Sequence, residues 1–279
     1  MARKQSEAFV LRSFDIGEQD KIIVLFSRDT GVFKGIAKGA RKFGNRFGSS
    51  LEPMSLVKVY YYEKEGKDLV TVSNCDLTES FFEIQKDLET SVTCCYFAEL
   101  IEEFFPSQSK DDTLFRLLQA TLQSLRAHAD LNFVSAYFEA WFLKLCGILP
   151  DFKRCRKCRE VITTSSWLSH RKDGIYCKRC LSQGKDEVQH TFSMFLDWTK
   201  KNPPPGKNER PFAEQEIEMF RNTMKKILIY HLEKEPKSLS FLTGTKNKGT
   251  QISKNKKADL GEQRETAGNN IKRRETYET

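Results

Sequence analysis

The sequence predicts an α+β protein, with an N-terminal five-stranded OB-fold barrel followed by an all-helical domain that contains an inserted four-cysteine motif. Three observations lead to this fold class. Short runs of β-branched and aromatic residues fill positions 1–78, apolar residues recur at helical spacing over 79–242, and two CxxC pairs interrupt the helical part. The remaining residues, 243–279, have almost nothing to bury and are expected to form a disordered basic tail.

Five short strands are expected in the first 78 residues. Their apolar runs lie at 8–11, 22–26, 32–37, 56–62 and 69–72, and Gly, Asp or Pro residues separate them. Because no helical run of any length lies among them, the simplest way to bury five such strands is a small barrel. We interpret 1–78 as an OB-fold and keep an SH3-like barrel as the alternative.

The spacing of the apolar residues becomes helical after residue 78. Residues at i, i+3 and i+4 are apolar in the segments 97–104, 114–125, 134–145 and 211–232, and a shorter helical pattern lies at 192–196. The aromatic residues in these segments repeat on single faces, which is typical of a bundle core and not of a surface that stacks bases. This pattern predicts one helical domain over 79–242.

Two CxxC pairs, Cys155 with Cys158 and Cys177 with Cys180, lie in a segment of about 151–184 between two predicted helices. The eighteen residues between the pairs match the pattern of four-cysteine zinc sites, in which two turns bring four sulfurs into one tetrahedron. Since cysteine fills all four positions, none stays open for water or substrate, and the zinc is expected to be structural. A pair of redox dithiols or disulfides is the alternative.

The formal net charge of +8 is unevenly distributed. Segment 31–50 contains five basic residues and no acidic one, and segment 153–180 contains nine basic residues and two acidic ones. Segment 79–150 contains eleven acidic and five basic residues. The positive charge is therefore concentrated in the predicted barrel and in the cysteine segment, which points to nucleic acid, an acidic protein surface or anionic lipid as a partner.

Segment 33–48 mixes basic residues, glycines and phenylalanines. Basic residues neutralise phosphates, glycines let the backbone approach a phosphate, and a phenylalanine can stack on an unpaired base. We predict a nucleic-acid site here, with a solvated hairpin loop as the alternative. The candidate DNA-binding residues are Lys34, Lys38, Arg41, Lys42, Arg46, Phe43 and Phe47, and possible secondary basic contacts are Arg156, Lys157, Arg171, Lys178 and Arg179.

No catalytic centre emerges from the sequence, so we expect a protein that is not an enzyme. It contains no GxxxxGK[ST], HExxH or GxSxG motif. The carboxylate pair Asp111 and Asp112 stands at a predicted helix start, where it is interpreted as a cap. The N-terminus has no apolar signal core, and free and metal-binding cysteines together indicate a reducing compartment, so a soluble cytoplasmic protein is expected.

The order of these parts resembles the family of the bacterial recombination and repair protein RecO. The matching stretches occur in the family's order and spacing over about residues 6–200. They lie at 9–11, 17–21, 31, 37–42, 51–53, 66–69, 96–100, 114–118 and 147–150, the last just before the first CxxC pair.

The resemblance implies an OB-fold packed on a helical domain with a zinc motif. It implies binding to single- and double-stranded DNA, annealing of complementary strands without ATP, and help in loading RecA onto DNA coated with single-stranded DNA-binding protein. The implied partners are RecR, the C-terminal tail of single-stranded DNA-binding protein, and in some systems RecF, at the bacterial nucleoid. Segment 38–42 maps onto the family's basic barrel surface, and the four cysteines map onto its zinc ligands. Segment 243–279 departs from the family pattern.

The leading hypothesis is therefore a DNA repair and homologous recombination mediator. Three alternatives remain open. An RNA-binding protein with an OB-fold and a zinc ribbon would have the same charge pattern, a zinc-dependent scaffold would bind proteins only, and a relative of nucleases or ligases would need a centre that the sequence does not offer. For the tail of single-stranded DNA-binding protein, Arg116 and Arg126 are candidate contacts on an otherwise acidic domain.

Overall fold

A computed structural model describes residues 3–64, 66, 68–105, 109–239 and 241. The chain separates into two compact units, Met1–Pro236 and Lys237–Thr279, and the fold described below is that of the first. The predicted tail at 243–279 lies outside the described residues. Its disorder and the domain limits 1–78 and 79–242 remain predictions.

The first five strands form a closed barrel. They are β1 (Arg3–Ile16), β2 (Asp20–Ser27), β3 (Gly31–Ala37), β4 (Leu56–Tyr62) and β5 (Leu69–Glu79), in the order β1-β2-β3-β5-β4. The long strand β1 closes the barrel, because it pairs with β2 through one part of its length and with β4 through the other. The five-stranded OB-fold barrel predicted from the sequence is confirmed, and each predicted apolar run lies inside a strand.

Alternate residues of each strand fill the barrel, as the two-residue period of a strand requires. Ile23 and Leu25 of β2 and Val57 and Val59 of β4 are buried in this core. Gly35 of β3 also faces the core, and a Cβ atom there would lie 2.7 Å from Cγ2 of Val72. The barrel interior therefore has no room for a side chain at position 35, and the neighbours of Gly35 along β3 point outward.

In the described part of the first unit, five α-helices follow the barrel. They are α1 (Leu88–Phe104), α2 (Asp112–Arg126), α3 (Leu131–Leu145), α4 (Thr191–Lys201) and α5 (Glu214–Leu232), and a short 3₁₀ turn at Glu83–Lys86 precedes them. Asp87, Asp111 and Asp130 cap the first three helices, each accepting a hydrogen bond from a backbone N–H in the first turn. The capping role predicted for Asp111 is confirmed.

Aromatic rings join the barrel to the helices. The ring of Phe9 in β1 is buried, and its centroid lies 5.0 Å from that of Phe115 in α2 and 6.4 Å from that of Phe81. Phe26 of β2 also contacts Phe115, with centroids 5.8 Å apart. Because these rings are shared by both parts, the helices pack on one outer face of the barrel and leave the remainder of its surface open.

The cysteine segment forms a small module between α3 and α4, as predicted, but it is more than a loop. It contains a three-stranded antiparallel sheet of β6 (Ser166–Leu168), β7 (Ile175–Cys177) and β8 (Glu187–Val188). These strands are too short to show a period in the sequence, and β8 follows the predicted segment of about 151–184, whose limits remain a prediction. The buried ring of Phe152 packs the module against α4, with its centroid 4.6 Å from that of Phe192, and Lys153 forms an exposed ion pair with Asp197 of the same helix.

Among the described residues, no helix combines the length and the apolar character needed to cross a membrane.

Candidate metal centre and nucleic-acid interface

The four cysteines of the two CxxC pairs come together in the structure. The Sγ atoms of Cys155, Cys158, Cys177 and Cys180 all lie within 4.8 Å of one another, and those of Cys158 and Cys177 are 3.6 Å apart. Cys155 is buried, Cys177 and Cys180 are partly exposed, and Cys158 faces the solvent. Four sulfurs at this separation can bind one metal ion, so the predicted ligand set is brought together as expected.

Local backbone geometry positions the sulfurs. The backbone N–H of Arg159 donates to the carbonyl of Cys155, and that of Cys180 donates to the carbonyl of Cys177, so each CxxC pair forms a tight turn. Cys155 also bridges to Ile175 of β7, which places the first turn beside the second. The short sheet is thus the element that holds the two turns face to face.

The first turn stabilises the thiolate form of Cys155. Burial raises the pKa of its thiol, but hydrogen bonds from the backbone N–H groups of Cys158, Cys177 and Lys157 outweigh burial and lower the pKa to about 6. The N–H of Cys177 lies 3.4 Å, N to S, from the Cys155 sulfur. Because a metal binds the thiolate, these backbone N–H groups favour metal coordination by Cys155, whereas burial and the neighbouring sulfur atoms raise the pKa of Cys158 and Cys180.

Two of the basic residues around the metal centre are held by acidic partners. Arg156 pairs with Asp173, with nitrogen and oxygen 2.6 Å apart, and Arg179 pairs with Glu160. The other predicted secondary contacts, Lys157, Arg171 and Lys178, are exposed and have no ion-pair partner among the residues that the structure describes. Arg154, Arg159 and Lys185 are also exposed without an ion-pair partner in the described chain, so the positive charge that the module presents to the solvent comes from these residues together with the other three.

The second candidate site is the basic loop, which we define as residues 38–48 after β3. The loop packs against the hairpin turn between β1 and β2. The backbone N–H of Gly39 donates to Oδ1 of Asp20, and the backbone N–H of Arg41 donates to the carbonyl of Gln19, 3.0 Å away. The basic loop is thus fixed to the barrel by backbone contacts, which leaves most of its side chains free to face outward.

The two arginines of the basic loop contribute to this fixation. Arg41 forms an ion pair with Asp15, with Nε and Oδ2 3.2 Å apart, and donates to the carbonyl of Gly17. The Nε of Arg46 donates to the carbonyl of Ser73, which is 2.6 Å away and lies at a β-bulge opposite β4. Both guanidinium groups remain partly exposed, but each is already engaged by the protein.

Three lysines of the candidate site have no ion-pair partner in the described part of the chain. Lys34 on β3 and Lys38 and Lys42 in the basic loop are exposed. Lys38 and Lys42 border a cavity of about 500 Å³, and Phe43 stands at its edge with its side chain fully exposed. This is the arrangement of cations and an accessible ring that binding to a phosphate chain with unpaired bases requires.

Phe47 does not share this exposure. It is 3 % exposed and belongs to the core of the barrel, and the guanidinium of Arg46 lies over its ring. A buried ring cannot stack on a base, so the structure contradicts the sequence-based inclusion of Phe47 among the nucleic-acid contacts. The sequence could not separate Phe43 from Phe47, because both follow a basic residue in a glycine-rich stretch.

Sequence reasoning missed the supporting role of the hairpin turn. Asp15, Gly17, Gln19 and Asp20 hold the basic loop in place, yet segment 17–21 served only as a matching stretch for the family resemblance. The sequence did contain a signal for this contact, since segments 17–21 and 37–42 are both among the stretches that match the family. Only the pairing of β2 with β3, in which Lys21 lies opposite Ala37, brings them together.

Comparison with known protein families covers almost the whole chain. A model described as "Recombination protein O N terminal" matches residues 1–81, and a model described as "Recombination protein O C terminal" matches residues 85–240. The first corresponds to the barrel and the second to the helices with the cysteine module.

Individual relatives agree with this assignment. The chain is 31 % identical over 239 residues to "DNA repair protein RecO" of Koribacter versatilis, which covers 86 % of this chain and 98 % of the relative. It is 29 % identical over 244 residues to the protein of the same name from Pelotomaculum thermopropionicum, covering 85 % and 93 % of the two chains. The Dehalococcoides mccartyi relative of that name is 27 % identical over 240 residues, covering 85 % and 94 %.

Proposed function

The chain belongs to the recombination protein O family of DNA repair proteins, and from that premise we propose that it is a non-enzymatic recombination mediator. It binds single- and double-stranded DNA and anneals complementary strands without ATP. It then helps RecA replace single-stranded DNA-binding protein, in cooperation with RecR and, in some systems, RecF. This work takes place in the cytoplasm, at the nucleoid.

The observation that supports DNA binding most directly is the group of three lysines, Lys34, Lys38 and Lys42, on the open side of the barrel. They have no ion-pair partner in the described chain. Lys38 and Lys42 lie beside an exposed phenylalanine, Phe43, whereas Lys34 lies farther along β3 and borders a separate cavity that Glu102 and Phe105 also line. Positive charge of this kind screens the repulsion between two phosphate chains, and base pairing then supplies the free energy of annealing. The reaction therefore needs neither nucleotide hydrolysis nor a catalytic centre.

The metal in the four-cysteine site is proposed to be zinc with a structural role. The donor set supports this, because four thiolates in a closed tetrahedron suit zinc and leave no position for substrate. The exposed bases Lys157, Arg171 and Lys178 make the module a second basic surface. In this proposal, zinc affects DNA binding only indirectly, by keeping the module that carries these basic side chains folded.

The acidic C-terminal tail of single-stranded DNA-binding protein is proposed to dock on the helical domain. Arg116 and Arg126, the candidates from the sequence, are both engaged, Arg116 by Asp112 and Arg126 by Glu79. We place the docking site instead at a cleft of about 520 Å³ between the first turns of α3 and α5. Arg210 borders this cleft and has no ion-pair partner in the described chain, and Phe133 and Phe212 supply an apolar wall. Asp130 and Glu214 also border the cleft, so in this proposal the tail pairs with Arg210 and its apolar side chains contact the two rings.

Annealing of two complementary labelled oligonucleotides, without ATP and across a salt series, tests the proposed function. Acceleration that fades steeply with salt is expected. The double charge reversal Lys38→Glu with Lys42→Glu should abolish it, and the matched control Lys201→Glu with Lys207→Glu, on exposed lysines of the helical part, should retain it. No acceleration by the metal-loaded wild type would refute the mediator and favour a scaffold that binds only proteins.

A competition between matched DNA and RNA strands separates the mediator from an RNA-binding protein. Preference for DNA, or equal binding, agrees with the proposal. Strong preference for RNA contradicts it.

A further inference from the structure

The outer face of the barrel carries an apolar patch beside the basic loop. We define the hairpin patch as Phe14, Ile16, Ile22 and Ile36. Phe14 and Ile16 are 44 % and 42 % exposed, which is unusual for large apolar side chains on a strand, and Ile22 and Ile36 are partly exposed. The patch lies outside the residues so far assigned to nucleic-acid binding.

Strand pairing makes the patch continuous. Phe14 of β1 lies opposite Ile22 of β2, and Ile22 lies opposite Ile36 of β3. The strand neighbours Ile23 and Ala37 are in the barrel core, so Ile22 and Ile36 point outward, and Phe14 shares their face. Across two strand spacings this row spans about 10 Å.

The patch adjoins the cations of the proposed DNA site. Lys34 precedes Ile36 by two residues on β3 and therefore points to the same face. At the other end of β3, Lys38 follows Ile36 by two residues at the start of the basic loop and is exposed. An apolar surface bordered by lysines without ion-pair partners suits a ligand that has both negative charge and planar apolar rings.

From these observations we infer that the hairpin patch contacts the unpaired bases of single-stranded DNA, with the Phe14 ring as a stacking position, while Lys34, Lys38 and Lys42 bind the phosphates. The charge complementarity favours a nucleic acid over a protein partner as the occupant. Bases in a duplex are already stacked, so the patch distinguishes single strands from duplexes, whereas the lysines serve both. This inference rests on the proposed function and adds the surface that recognises unpaired DNA bases.

Equilibrium binding of fluorescent single-stranded and duplex oligonucleotides by the metal-loaded full chain tests the inference. Phe14→Thr keeps a residue suited to a strand and removes the ring. It should weaken single-strand binding about tenfold, leave duplex binding within twofold, and leave the salt dependence unchanged. Phe14→Tyr should restore single-strand binding. The matched control Phe82→Thr removes another exposed ring, away from the patch, and should change neither affinity.

A second measurement gives a positive readout. An oligonucleotide with 5-iodouracil should photocrosslink to Phe14 in the wild type. Unchanged single-strand affinity in Phe14→Thr with no crosslink at this position would overturn the inference, as would equal weakening of single-strand and duplex binding. Loss of a captured protein partner with intact single-strand binding would assign the patch to proteins instead. The proposed function fails separately, if the wild type neither binds nor anneals DNA.

Discussion

The backbone N–H of Gly39 donates a hydrogen bond to Oδ1 of Asp20, with the nitrogen and oxygen 2.8 Å apart. The two residues are nineteen positions apart in the sequence. Their contact fixes the start of the basic loop to the β1–β2 hairpin. Gly39 has a φ of +70°, in the left-handed region, where a side chain is strained. The path of the loop therefore depends on glycine at this position.

Gly39→Ala should weaken DNA binding without any change of charge. The alanine introduces strain of roughly 1–2 kcal/mol at the left-handed backbone, which displaces the loop from the hairpin. We expect a several-fold rise in the dissociation constant for DNA with an unchanged salt slope. Gly66→Ala is the control, since Gly66 has a similar φ of +73° in the β4–β5 connection and no atom near its would-be Cβ. Equal weakening by both variants would contradict a local role for the loop.

Removal of the metal should lower the thermal stability of the protein. Metal binding contributes directly to the folding of a site with four thiolate ligands, because the unfolded chain holds no such cluster. We expect a chelator or Cys155→Ser to lower the melting temperature first and DNA binding only as a consequence. Metal analysis and a melting curve check this. Equal melting temperatures with and without chelator would contradict a structural role for the metal.

Arg221→Ala should strongly destabilise the helical domain. Arg221 of α5 forms an ion pair with Glu139 of α3, with nitrogen and oxygen 3.3 Å apart. The side chain of Glu139 is completely buried. The variant leaves a buried carboxylate without its cation, which costs about 3–5 kcal/mol of unfolding free energy. Denaturant unfolding measures the loss. Lys86→Ala breaks the exposed pair with Glu83 and should change the unfolding free energy by at most about 1 kcal/mol.

Asp186 should make the attachment of the cysteine module to α5 sensitive to acid. Burial raises the pKa of its carboxyl, but hydrogen bonds from Lys172 and Lys226 outweigh burial and lower it. A carboxylate whose folded pKa is lowered stabilises the fold above its unfolded pKa of about 3.9, and the contribution is lost as the pH falls through the folded value.

The melting temperature of Asp186→Asn, compared with wild type between pH 7 and pH 3, checks this prediction. The variant should melt lower at pH 7, and the difference should shrink as the pH approaches 3. Asp68→Asn, at an exposed position, should show no such difference. A constant difference at all pH values would mean that the Asp186 charge is not the cause.

Much of the fold was predictable because it depends on local periodicity. Alternating and helical patterns gave the five barrel strands and the five helices. The three strands of the cysteine module escaped detection, because two or three residues cannot display a period. Their existence depends on pairing between Trp167 and Tyr176 and between Trp167 and Glu187, which are separated in the sequence.

Some residues of the candidate sites were likewise predictable from local sequence, and others were not. The CxxC spacing alone predicted Cys155, Cys158, Cys177 and Cys180 as one ligand set, because ligand geometry constrains the spacing of the turns. The basic loop was recognisable from composition. The separation of Phe43 from Phe47 was not, because both rings occur in similar sequence surroundings and only packing decides which one is buried.

The sequence by itself determined the fold class, the four-cysteine set and the location of the positive charge, because each follows from the spacing or composition of residues that are close together in the chain. Only the tertiary structure decided which cations are already held by the protein, as Arg41 is by Asp15, and which, such as Lys38, are free of an ion-pair partner in the described chain. It also decided that Phe14 lies on an open face beside the basic loop. The physical reason is that burial and ion pairing depend on contacts between segments far apart in the chain, and no local pattern records them.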